Sequence, residues 1–127
     1  MKKVMCFGTF DKLHQGHLSY LKQAKKYGDC LIVVVARDKN VKELKKRLPV
    51  KKENCRLKDV KNLKIVNKAV LGALKDKLKV IRKHKPDIIC LGYDQPSDIN
   101  ELKNIFKGKI IRLLPYKEEK YKSSLIK

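Results

Sequence analysis

The sequence predicts an α/β fold, an open parallel sheet of about five strands with helices on both faces, and three observations carry that expectation. The apolar runs Val4-Met5-Cys6-Phe7, Cys30-Leu31-Ile32-Val33-Val34-Val35-Ala36 and Ile88-Ile89-Cys90-Leu91 are continuous rather than alternating, as suits strands covered on both faces. Segments with apolar residues at helical spacing separate these runs throughout. At 127 residues the chain is long enough for one core and too short for two, so residues 1–127 are expected to form a single domain.

The first strand, Val4 to Phe7, runs into Gly8. Leu18-Ser19-Tyr20-Leu21-Lys22-Gln23-Ala24 then has apolar residues three apart, which predicts an amphipathic helix that Tyr27-Gly28-Asp29 ends. The run from Cys30 to Ala36 closes a first strand-helix-strand unit. Arg37-Asp38 opens a polar segment in which Val41, Leu44 and Leu48 keep helical spacing until Pro49 stops it. Glu53 to Leu63 predicts a helix with Leu57, Val60 and Leu63 inward, and Ala69-Val70-Leu71 a short strand before Gly72. A helix from Leu74 through Leu78 and Ile81 precedes Pro86-Asp87 and the strand Ile88 to Leu91, whose loop is Gly92-Tyr93-Asp94-Gln95-Pro96. Ile99, Leu102 and Phe106 mark a further helix, Ile110-Ile111-Arg112-Leu113-Leu114 the last strand, and Tyr121-Lys122-Ser123-Ser124 the tail. Right-handed crossovers join such strands into one sheet, with the ligand crevice beyond their carboxyl ends.

The net charge of +20 invites a nucleic-acid reading, but 28 Lys stand against 5 Arg and spread along nearly every helix. Phosphate-reading surfaces lean on the planar fork of Arg and on aromatic stacking, both scarce here, so nucleic acid is not the expected partner. A diffuse Lys surface still attracts polyphosphates and other anions. Cys6, Cys30, Cys55 and Cys90 show no paired spacing and read as reduced core residues. No apolar stretch approaches the ~20 residues of a membrane span, and no signal peptide is visible, so a cytoplasmic protein without membrane contact is expected.

The chemistry concentrates in Gly8-Thr9-Phe10-Asp11-Lys12-Leu13-His14-Gln15-Gly16-His17, on the turn from the first strand into the first helix. A helix start presents unpaired N–H groups and the positive end of the dipole, a ready anion site. Gly8 and Gly16 let backbone approach a ligand closely. His14 and His17, three apart, lie one above the other if the helix begins near His14, so that two imidazole N–H groups could grip one phosphate. Taken singly, a glycine is more often a turn residue and a histidine a cap. Two metal-binding histidines are the other reading, but no third ligand follows at metal-site spacing.

Gly8-Thr9-Phe10-Asp11 followed by His14-Gln15-Gly16-His17 resembles the signature of the cytidylyltransferase-like nucleotidyltransferases, a Rossmann-like family whose HxGH element binds a nucleoside triphosphate. The similarity is nearest to the archaeal FAD synthetases of that superfamily, through Val33-Val34-Val35-Ala36-Arg37-Asp38, the segment Glu53 to Arg56, Val70-Leu71-Gly72, Lys85-Pro86-Asp87-Ile88-Ile89 and Leu91-Gly92-Tyr93-Asp94-Gln95. The bacterial glycerol-3-phosphate cytidylyltransferases share the first motif but end in an Arg-Thr-x-Gly-Ile-Ser-Thr-Thr segment that this chain lacks. Asn67 stands where many relatives carry an acidic residue, and Ser123-Ser124 is a shortened echo of the C-terminal Ser/Thr phosphate contacts.

The resemblance implies transfer of AMP from ATP to FMN, giving FAD and pyrophosphate, with Mg2+ carried on the ATP and no dedicated metal site. His14, His17, Lys45 and Lys46, with Arg47 beside them, would be the catalytic cations and donors. Gly8, Thr9, Phe10, His14, Gln15, Gly16, His17, Asp94, Tyr121, Ser123 and Ser124 would hold the nucleotide. Tyr93, Pro96, Pro115 and Tyr116 would offer surface to the flavin ring. CTP with a small phosphomonoester is the alternative substrate pair. A non-catalytic module for nucleotide or RNA is the alternative from another class, and a homodimer is the assembly considered.

Overall fold

The computed structural model describes residues 2–72, 79–91, 106 and 108–112. Along the chain lie β1 (Lys3–Gly8), α1 (Gln15–Lys25), β2 (Cys30–Val35), α2 (Asp38–Lys45), α3 (Glu53–Lys61), β3 (Lys68–Leu71), α4 (Lys79–His84), β4 (Ile88–Leu91) and β5 (Lys109–Arg112). The strands form one sheet, parallel throughout, in the order β3-β2-β1-β4-β5. This is the expected Rossmann-like architecture.

Alternation along each strand decides which face a residue feeds. Val4, Cys6, Leu31, Val33, Val35, Ala69, Ile88 and Cys90 pack with Leu21 and Ala24 of α1 and Val60 of α3. Met5, Ile32, Val34, Ile89 and Leu91 pack on the opposite face with Val80 and Ile81 of α4 and with Phe106. Both faces are covered, so the central strands need apolar residues at every step and show no polar alternation. Basic residues in the last turns of α1 (Lys22, Lys25), α3 (Lys58, Lys61) and α4 (Arg82, Lys83) complement the negative ends of those helix dipoles.

The strand order runs outward from the β1/β4 pair, through β2 and β3 on one side and to β5 on the other. That pair is therefore the switch point, where folds of this kind hold a ligand beyond the carboxyl ends of the strands. Tyr20 of α1 reaches both of these strands. The β1/β4 register ends at Cys6 opposite Cys90. One step further, the Tyr20 hydroxyl accepts from Phe7 N at 3.2 Å and lies 3.1 Å from Phe7 O and 3.0 Å from Cys90 O, either of which can take its proton. A side chain thus replaces the next backbone bond between the two strands, which lets them part.

Two expectations are corrected. The helix expected to continue to Leu48 stops at Lys45, because Lys46 takes a left-handed φ of 63° that a continuing helix does not accommodate, and Leu48 is exposed. Cys55, expected in the core, lies on the outer face of α3, whereas Cys6 and Cys90 are buried and Cys30 is half-buried; all four are free thiols. The expected helical residues Leu74, Leu78, Ile99 and Leu102, the loop of residues 92–96, and the chain from Leu113 onward lie outside the described residues. Among the described residues no helix is long and apolar enough to cross a membrane.

Candidate active site

The loop from β1 into α1 is held in shape by its own aromatic residue. Phe10 is buried with a left-handed φ of 54°, an uncommon state for a bulky side chain that packing must hold in place. Its ring lies against Tyr20, with centroids 6.4 Å apart at 20°, and against His17, 5.4 Å away at 59°. It also covers Gly8, where a Cβ would come within 2.7 Å of the Phe10 ring. Gly8 is thus required by Phe10, and Phe10 in turn backs His17. With its side chain committed to packing, Phe10 has its backbone to offer a ligand.

His14 is the N-cap of α1. Its Nδ1 accepts from Gly16 N at 3.0 Å, and Nδ1 of His17 accepts from His14 N at 3.3 Å. This is a capping box made with two imidazoles in place of the usual hydroxyl and carboxamide or carboxylate. The rings stack with centroids 3.9 Å apart at 27°. Because each Nδ1 receives a backbone proton, the neutral rings carry their own protons on Nε2. The helix start therefore presents two stacked Nε2–H donors. Gly16 makes room for this, since a Cβ there would stand 2.8 Å from His14 Cε1.

A set of charged residues that the sequence reading did not assign to the site fixes the other side of the loop. Arg56 of α3 is fully buried, donating from Nη1 to Thr9 O at 2.8 Å, from Nε to Lys51 O at 3.0 Å and from Nη2 to Asp38 Oδ1 at 2.5 Å. Asp38 and Glu53, first residues of α2 and α3, cap each other: Glu53 Oε1 accepts from Asp38 N at 2.9 Å and Asp38 Oδ2 from Glu53 N at 3.2 Å. Arg37 joins Glu53 Oε2 at 3.0 Å to Gly72 O at 2.8 Å, just past β3. Asp11 accepts from Val50 N at 2.7 Å and Lys51 N at 3.0 Å. Desolvation opposes its ionisation, but the N–H groups of Lys51 and Val50 prevail and hold its carboxyl below the ordinary range. Burial, with Cys6 next, pushes the Tyr20 phenol well up, so it remains a neutral hydroxyl.

The family model described as Cytidylyltransferase-like matches residues 5–127. The chain belongs to this family. It is 43% identical over 132 residues to a protein named FAD synthase from Thermoplasma volcanium, covering 100% of this chain and 92% of that one. It is 53% identical over 102 residues to a FAD synthase from Methanothrix thermoacetophila, covering 80% and 70%. Among solved structures it resembles one titled as the lipopolysaccharide core biosynthesis protein from Thermoplasma volcanium GSS1, with a TM-score of 0.86 at 45% identity over 91% of this chain and 98% of that one.

In this cytidylyltransferase-like chain, Gly8, Thr9, Phe10, His14, Gln15, Gly16 and His17 share one loop and helix start at the carboxyl edge of β1. Lys46 and Arg47 are exposed and begin the segment 46–52, whose far end is tied to Asp11. The Lys45 side chain, Asp94, Tyr121, Ser123 and Ser124 lie outside the described residues. Arg37, Asp38, Glu53 and Arg56 escaped the sequence reading as parts of the site. The available signal was scarcity: where Lys supplies 28 of 33 cations, an Arg marks a place that needs a planar fork.

Proposed function

We infer that this chain is an FMN adenylyltransferase, a nucleotidyltransferase that moves AMP from ATP to FMN to give FAD and pyrophosphate. A phosphate oxygen of FMN bonds to the α-phosphorus of ATP as the bond from that phosphorus to the α,β-bridging oxygen breaks, and pyrophosphate leaves with the electron pair. The attacking oxygen is already ionised at neutral pH, so positioning and charge stabilisation are the catalytic tasks. The stacked Nε2–H donors of His14 and His17 carry this reading, since two N–H groups on one helix start suit charge developing on a phosphate. Lys45, Lys46 and Arg47 are proposed to close on the leaving pyrophosphate. Gly8, Thr9, Phe10 and Gln15 are proposed to supply backbone to the nucleotide, with Gly16 leaving room for the His14 ring, and Asp94, Tyr121, Ser123 and Ser124 are proposed to complete its pocket.

Mg2+ is proposed to arrive on the triphosphate, where it would neutralise charge on the leaving group. The carboxylates beside the loop fit this assignment. Asp11, Asp38 and Glu53 are each engaged by backbone N–H groups or by Arg, so holding a cation would mean giving up those bonds. A homodimer and a cytoplasmic location complete the proposal. The test is incubation with ATP, Mg2+ and FMN, resolving FAD and pyrophosphate. Product from CTP and glycerol 3-phosphate, with none from FMN, would transfer the chain to the cytidylyltransferase branch. Binding without pyrophosphate release would make it a nucleotide-binding module.

A further inference from the structure

The crossover from β2 to β3 is made by α3, while α2 and the segment 46–52 form an excursion on the ligand side. The contacts at both ends of the excursion establish this placement. Asp38 and Glu53 cap each other, so α2 and α3 both start at the carboxyl edge of the sheet. At the far end, Val50 and Lys51 are bonded to Asp11, three residues before His14. The segment is therefore a strap stretched beside the phosphate-binding loop.

Its surface is unusual for this chain. Among the described residues the exposed large hydrophobics are Tyr27, Leu48 and Val50, at 40%, 58% and 64% exposure, in a protein whose surface is otherwise rich in Lys. Two of the three lie on the strap, flanked by Lys46, Arg47 and Lys52. Tyr27 lies at the opposite edge, beside Gly28 and Asp29, which meet Lys2 O before β1. An apolar surface bordered by cations, next to a phosphate site, matches a ligand with a flat apolar ring and a phosphate tail.

Resting on the FMN adenylyltransferase reading, we propose that the strap is the flavin subsite, with Leu48 and Val50 as the platform on which the isoalloxazine ring lies. The ring covers two aliphatic side chains that are largely exposed to water, and its phosphate extends toward His14 and His17, while Lys45, Lys46 and Arg47 remain with the leaving pyrophosphate. The bonds from Val50 and Lys51 to Asp11 and from Arg56 to Lys51 anchor the far end of the strap beside the loop, so ring position sets phosphate position. Acceptor choice is then made by residues outside the His-Gln-Gly-His motif.

The test is steady-state FAD synthesis by wild type, Leu48→Ser/Val50→Ser, Leu48→Met/Val50→Ile and the distant control Tyr27→Ser. The serine pair is expected to raise KM for FMN about tenfold while KM for ATP moves less than twofold. The Met/Ile pair should restore KM for FMN to within about threefold of wild type, and Tyr27→Ser should leave it unchanged. An unchanged KM for FMN in the serine pair overturns the proposal. If that pair instead shifts the protein from dimer to monomer by light scattering, or lowers its melting temperature, with KM for FMN unmoved, another copy or another segment covers the platform. A wild type that makes no FAD at all would overturn the reaction reading, a different result from FAD formation with an insensitive strap.

Discussion

A single glycine shows how tightly the donor pair is built. His14 can fold over the first turn of α1 because Gly16 has no Cβ to meet its ring, and the same ring supplies the helix cap. Gly16→Ala should therefore separate stability from activity. Alanine favours the helix by about 1 kcal/mol over glycine, which offsets the lost imidazole cap, so the midpoint of urea unfolding should scarcely move. Turnover should drop at least tenfold as His14 is displaced from the stack, measured as kcat; a full rate would mean that the stacked arrangement is dispensable. On the proposed role of His17, His17→Ala removes a donor aimed at charge in the transition state, a loss on the order of 3 kcal/mol, so kcat should decline about a hundredfold. ATP affinity measured by calorimetry should change far less, because the backbone contacts of the loop survive. Equal losses in both quantities would reduce His17 to a binding residue.

At the scale of elements, the site is two pieces fastened together, and the fasteners are ionic. Asp11 holds the strap through the N–H groups of Val50 and Lys51, with its carboxyl below the ordinary Asp value of about 4. A depressed carboxyl contributes stability above its unfolded value and loses it as pH falls through the folded one, so the tether should outlast the ordinary carboxylate range on acidification. Asp11→Ala should speed hydrogen exchange at Val50 and Lys51 at neutral pH, while exchange in β1 and β2 stays slow. Unaltered exchange at those two amides would show that the strap is held by other contacts. Arg56 is the stronger fastener, since it serves three acceptors from a fully buried position. Arg56→Lys keeps the charge but cannot span Thr9 O, Lys51 O and Asp38 together, and should destabilise the fold by about 3 kcal/mol in denaturant unfolding. A change below about 0.5 kcal/mol would place the buried guanidinium among the energetically neutral pairs. These fasteners escaped the sequence reading because Arg56 and Asp38 lie 18 residues apart, and beyond the scarcity of Arg nothing local says that a charged residue turns inward. The end of α2 was misread for a related reason: Leu48 keeps the helical period, but Asp11 draws the chain back by its backbone at Val50 and Lys51.

For the whole molecule, the sheet was legible because continuous apolar runs on β1, β2 and β4 leave few alternatives, and their two faces sort into the two cores by simple alternation. The loop and helix start proposed to hold phosphate were legible as local structure for the same kind of reason: their glycines and histidines fall within one turn. The role of the global charge was read only in outline, since a net +20 spread over 28 Lys defines no single patch. Its consequence is long-range. The proposed substrates ATP and FMN are anions, and a diffuse positive surface would raise their encounter rate through a field that salt screens, with a Debye length of about 10 Å at about 0.1 M and about 3 Å at about 1 M. Donors in contact with phosphate act well inside those distances. Raising salt from about 50 to about 500 mM should therefore lower kcat/KM for ATP severalfold while kcat, set by groups already touching the reacting phosphates, changes less than twofold. The measurement is a salt series of initial rates at fixed free Mg2+, with saturating FMN. A flat kcat/KM would show that the lysines serve solubility alone, and a kcat falling in parallel would show that cations such as Lys46 and Arg47 hold the transition state through exposed, screened contacts.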